Sequence, residues 1–579
     1  MPNMIQNAKD SISQILNAAY QKAAEKGELP AGAALSGTVE IPKDSANGDF
    51  AANHAMAGAK ALHMAPRKIA EALIANADLA DTWFASVEVA GPGFINFRLA
   101  DRWYADVLQA VTQEGADYGR SDIGHGQKVM VEFVSANPTG PMHMGNARGG
   151  VLGDALASVL DRAGYQVWRE FYVNDAGNQI EKFANSIDAR YQQLLLGEDQ
   201  VAFPEDGYHG DDIKDLAKLF YEANGDKYLT VPVAERHQAM AEFGLQRNIP
   251  KMQEDLRRYG IAYDQWFFES ELHESGYVAE SVQKLTDRGY TYEKDGALWL
   301  KTSQILTEQL LKAGKKQEEI DKLELKDDVL RRANGFYTYF AADIAYHRNK
   351  LEKRGFDKVI NVWGADHHGH VARLKGAMDA LGLDGEHRLD IVLMQLVKLT
   401  RNGEVVRMSK RTGKAISLTD LLDEIPVDAA RYFFNSRPES PVEFDLELAI
   451  RQDSENPVYY VQYAHARICT LLSALAAEGH TVPASADAAL LSTPEEKELI
   501  KQLAALPEEI RLAARDYDPS RINRYVTELA ARFHRFYTAC RIKGAAEGVL
   551  EARLFLADTV RRVIALSLDI IGVSAPSKM

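Results

Sequence analysis

The stretch VEFVSANPTGPMHMGNARGGVLGDAL, residues 131–156, decides the fold. An apolar run breaks on Asn137-Pro138-Thr139-Gly140-Pro141, and a helical pattern takes over from Gly145 to Leu156. Strand, tight turn and helix start form the usual place for a phosphate, because the first N–H groups and the dipole of a helix favour an anion. No Gly-Lys-Ser/Thr follows, so the common phosphate loop is excluded. His143 offers a donor to a phosphate oxygen, and Gly145 lets a nucleotide approach the backbone closely. A purely structural turn would use the same residues, so the stretch alone leaves both readings open.

Working outward, KVMVEFV and YQVWREFYV flank a helix of Gly149 to Ala163, and DKVINVWGADHHGHVARLKGAM and LDIVLMQLVKL repeat the style later. Buried strands alternating with helices predict an α/β fold with a Rossmann-like, doubly wound parallel sheet, whose ligands lie outside the carboxyl ends of its strands. His143 and the Asp366-His367-His368 cluster both follow such strands, on one edge of one sheet. Residues 1–120 read as an N-terminal α+β domain with a hairpin about Gly91-Pro92-Gly93, and the Gly-rich segment 114–127 reads as a linker. The strand–helix unit spans 127–425, interrupted at about 185–330 by a charged helical insertion, and 426–579 reads as all helical. There Ile522, Val526, Leu529, Phe533, Phe536 and Cys540 repeat at helical spacing, with Arg524, Arg532, Arg535, Arg541 and Lys543 between and beyond them.

The 579-residue chain exceeds a single core, and its 67 Lys+Arg against 83 Asp+Glu give a net charge of −16. Binding of nucleic acid through bulk electrostatics is thereby excluded; any such contact must use local basic surfaces. Two cysteines, Cys469 and Cys540, make neither a disulfide framework nor a cysteine zinc site. The amphipathic N-terminus lacks an apolar signal core and no run reaches a membrane span, so a soluble cytoplasmic protein is expected.

A second element lies at RNGEVVRMSKRTGKAISL, where Gly-containing turns flank Arg407-Met408-Ser409-Lys410-Arg411. Cations on a glycine-bounded loop suit a polyphosphate, although a solvated basic loop would look alike. The joint occurrence of His143-Met144-Gly145-Asn146 and this Met-Ser-Lys resembles the class I aminoacyl-tRNA synthetases. Their signatures are His-Ile-Gly-His and Lys-Met-Ser-Lys-Ser. The chain departs at Asn146, Arg407 and Arg411. Within that class it resembles the arginyl-tRNA synthetases over almost its whole length. The resemblance is carried by the quoted first motif, by VWGADHHGHVARLKGAM, by VDAARYFF (427–434, with Ala430 for leucine) and by YYVQYAHARICTLL.

The resemblance implies ATP-dependent activation of L-arginine and transfer to the 2′-hydroxyl of a tRNA's terminal adenosine, with Mg²⁺ carried by ATP and no separate metal site. It implies catalytic roles for His143, Lys410 and Asn146, the last as a neutral donor where the signature has histidine. ATP would further contact Gly145, Gly364, Asp366, Met408 and Ser409; arginine would meet Glu132, Ser135, Asn137, Tyr339, Asp343 and His367. A planar guanidinium with five donors suits carboxylates in fork geometry. Tyr339 and Asp343 share a face if helical, and a core-facing Asp without a basic partner is costly enough to make a bound cation reasonable. Glu132 stands on an otherwise apolar strand, where an unpaired carboxylate is rare; it would hold either the α-ammonium or the guanidinium. For tRNA the carry-over selects Tyr460, Tyr463 and Arg467 on one helix face, Met579, and Asn96, the last outward on its alternating strand. The helical C-terminal domain would bind the anticodon. A monomer is expected.

Overall fold

The computed structural model describes residues 3–365, 368–395, 397–406, 416–436 and 442–579. Five parallel strands form the central sheet: β1 (Lys128–Glu132), β2 (Gln166–Val173), β3 (Gln265–Phe268), β4 (Lys358–Gly364) and β5 (Leu389–Met394). Their order is β5-β4-β1-β2-β3, every neighbouring pair being parallel. The chain moves one way from β1 and resumes on the other side with β4, so the order reverses between these two strands. A crevice opens there, beyond Glu132 and Gly364.

The sheet is covered on both faces, which explains its near-continuous apolar strands. Val129 and Val131 pack with helix α1 (Met144–Arg162), whereas Met130 between them packs with Tyr346 and Leu374 on the opposite face. That face carries α2 (Tyr339–Arg348) and α3 (His368–Ala380). α1 presses so close to β1 that a Cβ on Gly153 would meet the Phe133 ring at 2.1 Å.

The span 185–330 differs from the expected helical insertion. It holds long helices, Asp211–Asn224 and Val233–Arg258, but also β3 of the main sheet and a small antiparallel sheet of Thr291–Lys294, Ala297–Leu300 and Asp328–Arg331. β3 is four residues long, too short to show a period among helical neighbours.

In the N-terminal unit the strands Phe84–Ala90 and Phe94–Leu99 form the expected antiparallel hairpin. Asn96, expected to face outward, is only 3 % exposed. Its strand is central in a four-stranded sheet, and the loop at Gly48 crosses its second face, with a Cβ there 3.5 Å from that of Asn96.

The C-terminal part is built from α4 (Val427–Asn435), α5 (Pro457–Ala477), α6 (Pro494–Asp516), α7 (Ser520–Ala539) and α8 (Val549–Ile570). The predicted apolar set of α7 is buried throughout. Its basic residues are largely neutralised: Arg532 meets Glu498 and Glu528, Arg535 meets Glu528, and Arg524 meets Asp518. The strand Val442–Asp445 pairs in parallel with Val397–Arg401, so this part is not wholly helical. Among the described residues, no helix is long and apolar enough to cross a membrane.

Candidate active site

β1 ends in backbone strain. Val134 and Ser135 hold φ of 70° and 41°, a region costly for a β-branched residue and characteristic of sites where position outweighs stability. The bend lets Ser135 donate its hydroxyl to Glu132 Oε1 at 2.8 Å. Glu132 Oε2 accepts from Lys350 at 2.5 Å, and both side chains are buried. The charge on the apolar strand is therefore balanced from within the chain, by a lysine just past α2. Lys350 also donates to Asn361 Oδ1 on β4 (3.3 Å) and lies 3.9 Å from the Tyr346 ring centroid.

His143 caps α1 and is exposed, and its N–H donates to Asn146 Oδ1 at 3.1 Å. Gly145 stands in open space; a Cβ there would touch nothing within 4 Å. His143 bridges to Ser417, and Leu418 N–H donates to Met142 O at 2.8 Å. These bonds fasten the first motif to the segment just after the second. Met408, Ser409 and Lys410, with Asp366 and His367, lie outside the described residues. Gly364 ends β4 beside Met394 on β5. Asn137 is exposed in the loop after β1.

α2 sets Tyr339, 42 % exposed, at its first turn and Asp343 one turn on. Asp343 is not alone, as the sequence suggested: His370 Nε2 lies 2.9 Å from its Oδ2. The backbone carbonyl of Asp343 accepts from His347 Nδ1 at 2.8 Å, and His347 Nε2 accepts from Asn361 at 2.7 Å. Burial first, then the Lys350 charge, holds His347 well below its ordinary range, so it is neutral.

Sequence reasoning missed Glu269, directly after β3. It is 3 % exposed, accepts from Tyr172 OH at 2.9 Å and lies 3.3 Å from His273 Nε2. The signal was available, since Glu269 follows an apolar strand as Glu132 does. Burial, then Glu269 and Asp343, push the Tyr172 hydroxyl well above the ordinary range. Glu269 and Tyr339 line one cavity of about 480 Å³, with Gly177 across from the tyrosine. Glu132 and Glu170 are matched by Lys350 and Arg354. The carboxylates of Asp343 and Glu269 are bonded, among the described residues, to histidines and a tyrosine hydroxyl and not to a lysine or arginine, although Arg332 also lines the cavity. The site thus keeps negative charge for a cation.

In the C-terminal part, α5 and α7 form an aromatic platform. Arg467 lies 4.7 Å from the Tyr463 ring centroid and 5.0 Å from that of Tyr537, and donates to Tyr463 OH at 2.9 Å. Tyr460 packs on His534 at 4.8 Å, and Tyr463 stacks on Tyr459 at 6.0 Å. Burial, then Arg467, lowers the His534 pKa. His534 and Tyr537 were missed because their α7 neighbours read as core and charge. Met579 is exposed, and the tail before it is held by His465 Nδ1 at Pro576 O (2.9 Å).

Comparison with known proteins agrees with this geometry. The family "tRNA synthetases class I (R), catalytic domain" matches residues 107–440, which contain the whole sheet and both motifs; the sheet and its loops are those of a class I aminoacyl-tRNA synthetase. "Arginyl tRNA synthetase N terminal domain" matches 6–99 and "DALR anticodon binding domain" matches 461–579. The arginine–tRNA ligases of Caldanaerobacter subterraneus and Acetivibrio thermocellus are 54 % and 52 % identical, each over 100 % of both chains. The chain belongs to the arginyl-tRNA synthetase family. The Thermus thermophilus arginyl-tRNA synthetase structure, 22 % identical, shares the fold with a TM-score of 0.72 over 98 % of this chain and 100 % of its own.

Proposed function

We infer that the chain activates L-arginine with ATP and esterifies it to the 2′-hydroxyl of the terminal adenosine of its tRNA. The observation that carries this reading is a pair of carboxylates, the buried Glu269 and the half-exposed Asp343, left without a lysine or arginine salt-bridge partner among the described residues beside Tyr339. In such a pocket a guanidinium supplies the missing charge and up to five donors. ATP lies in the crevice between β1 and β4, its α-phosphate at the start of α1. Gly145 gives the backbone access there, and His143 donates to a phosphate oxygen; Asn146 holds the histidine's backbone. Gly364 and Asp366 bound the adenosine. Met408, Ser409 and Lys410 come from the segment anchored at Ser417, and Lys410 stabilises charge on the departing pyrophosphate. Mg²⁺ bound to the ATP phosphates would offset part of their charge.

Ser135, Asn137 and His367 surround the amino acid. Glu132 acts through its Lys350 pair, leaving one face for the α-ammonium. The arginine carboxylate attacks the α-phosphorus, the bond to pyrophosphate breaks, and the 2′-oxygen of tRNA then takes the arginyl group from AMP. Binding energy is used for positioning and charge, with no protein nucleophile. Tyr460, Tyr463 and Arg467, joined by Tyr537, stack on and contact anticodon bases, with Met579 nearby. The segments 1–120, 127–425 and 426–579 divide these tasks as tRNA-body contact, catalysis and anticodon binding. Asn96 is too buried to read a base directly.

The test is tRNA charging with ATP and labelled arginine, lysine or cysteine. Arginine alone is expected to become acid-precipitable, and only with tRNA present. Charging of another amino acid, or none, would sink the reading.

A further inference from the structure

Asp343 heads a chain of side chains that runs from α2 through α3 to the strand Asp328–Arg331. His370 Nε2 lies 2.9 Å from Asp343 Oδ2, and His370 Nδ1 lies 3.1 Å from Arg373 Nη2. Arg373 Nη1 donates to Asp328 Oδ1 at 2.5 Å, and Thr302 donates its hydroxyl to Asp328 Oδ2 at 2.8 Å. A guanidinium has donors only. The ring nitrogen facing Arg373 must therefore be the acceptor, and the ring proton sits on Nε2, pointing at Asp343. Phe340 packs edge-on against this ring at 5.3 Å and Trp363 lies 5.7 Å away on a tilted plane, so the imidazole cannot turn freely.

We propose that His370, with its tautomer set by Arg373, is a positioning residue for arginine recognition. It is a neutral donor that fixes the Asp343 carboxylate while leaving its negative charge for the substrate guanidinium. A lysine or arginine at this place would orient the carboxylate equally well but neutralise it, closing the site to a cation. The buried cations at the end of α2 are both taken up elsewhere, Lys350 by Glu132 and Arg348 by Glu280 and Glu352. His347 and Asn361, both uncharged, stand between Lys350 and Asp343: Lys350 donates to Asn361 Oδ1, Asn361 donates to His347 Nε2, and His347 Nδ1 donates to the Asp343 backbone carbonyl rather than to its carboxylate. The geometry thus balances one carboxylate and spares the other.

The inference rests on the reading that Asp343 meets the guanidinium, and the test separates the two. Initial rates of tRNA charging by the full-length enzyme are measured with arginine and ATP varied in turn, for wild type, Asp343→Asn, His370→Ala, His370→Gln and Arg373→Ala. His370→Ala is expected to raise the arginine KM about tenfold, the worth of one hydrogen bond to a charged group. The KM for ATP and the thermal midpoint stay unchanged. His370→Gln, whose amide nitrogen reaches the place of Nε2, restores most of the loss, and Arg373→Ala weakens arginine in the same direction. An unchanged arginine KM in His370→Ala, equal rises for arginine and ATP, or no recovery in His370→Gln overturns the role of His370. An unchanged Arg373→Ala overturns the tautomer control. If Asp343→Asn itself leaves the arginine KM unaltered, the underlying reading of the pocket fails instead.

Discussion

Lys350 and Glu132 show why a residue's role is hard to read from its own neighbourhood. Glu132 was legible as a functional carboxylate because it interrupts an apolar strand, but its partner lies 218 residues away. Part of the same distance problem applies to Glu269 and His370, whose partners Tyr172 and Asp343 come from other elements. Removing one member of a buried pair costs about 3–5 kcal/mol, whereas replacing both is much milder. Lys350→Met is therefore expected to lower the thermal midpoint of the enzyme clearly, and Glu132→Gln added to it to recover much of the loss; an unshifted midpoint in the single variant would contradict the pairing. His347 makes a pH prediction. Its folded pKa lies well below 6.5, so below pH 6.5 the unfolded chain binds a proton that the folded chain does not. Stability is full above that pH and falls by up to about 1.4 kcal/mol per unit as pH drops toward the folded pKa. His347→Gln should flatten this slope in denaturant titrations between pH 7 and 5.5.

At the scale of elements, the strand–turn–helix of 128–162 was readable because its period changes where the turn residues stand. β3 was not, since four residues leave no period, and Asn96 misled because a loop closes over its strand's second face. Two glycines of α1 separate recognition from folding. Gly145→Val adds side chain only into open space, so the thermal midpoint should hold while the KM for ATP rises at least about tenfold. Gly153→Val would press its Cβ into Phe133, and overpacking of this kind costs about 1–3 kcal/mol or more. A Gly145 variant that unfolded early, or that kept its ATP affinity, would show that the helix start is not the nucleotide's wall.

For the whole molecule, the buried Arg431 joins parts that no local pattern connects. It pairs with Asp154 on α1 and donates to the carbonyls of Tyr259 (3.1 Å) and Ile571 (3.2 Å). Three residues before it, Asp428 accepts from Ser574 N–H at 3.0 Å and from Gln462 at 2.7 Å. The Asp and Arg of VDAARYFF were recognisable from sequence by resemblance, but their work, tying α4 to the catalytic sheet and to the chain's end, needed the fold. Arg431→Met leaves Asp154 with Arg169 alone and strips buried carbonyls of their donor, and loss of a partner in such a network costs about 3–5 kcal/mol. Limited proteolysis should then cut between the catalytic and helical parts at temperatures where the wild type is intact, and equal resistance would contradict the tie. The division of charge in the pocket is tested most directly by a crystal structure with a non-hydrolysable arginyl-adenylate analogue. The account predicts the guanidinium between Asp343 and Glu269 beside Tyr339, with the α-phosphate mimic at the start of α1 near Gly145. A guanidinium seated on Glu132 with Lys350 displaced, or an adenosine outside the crevice between β1 and β4, would contradict it.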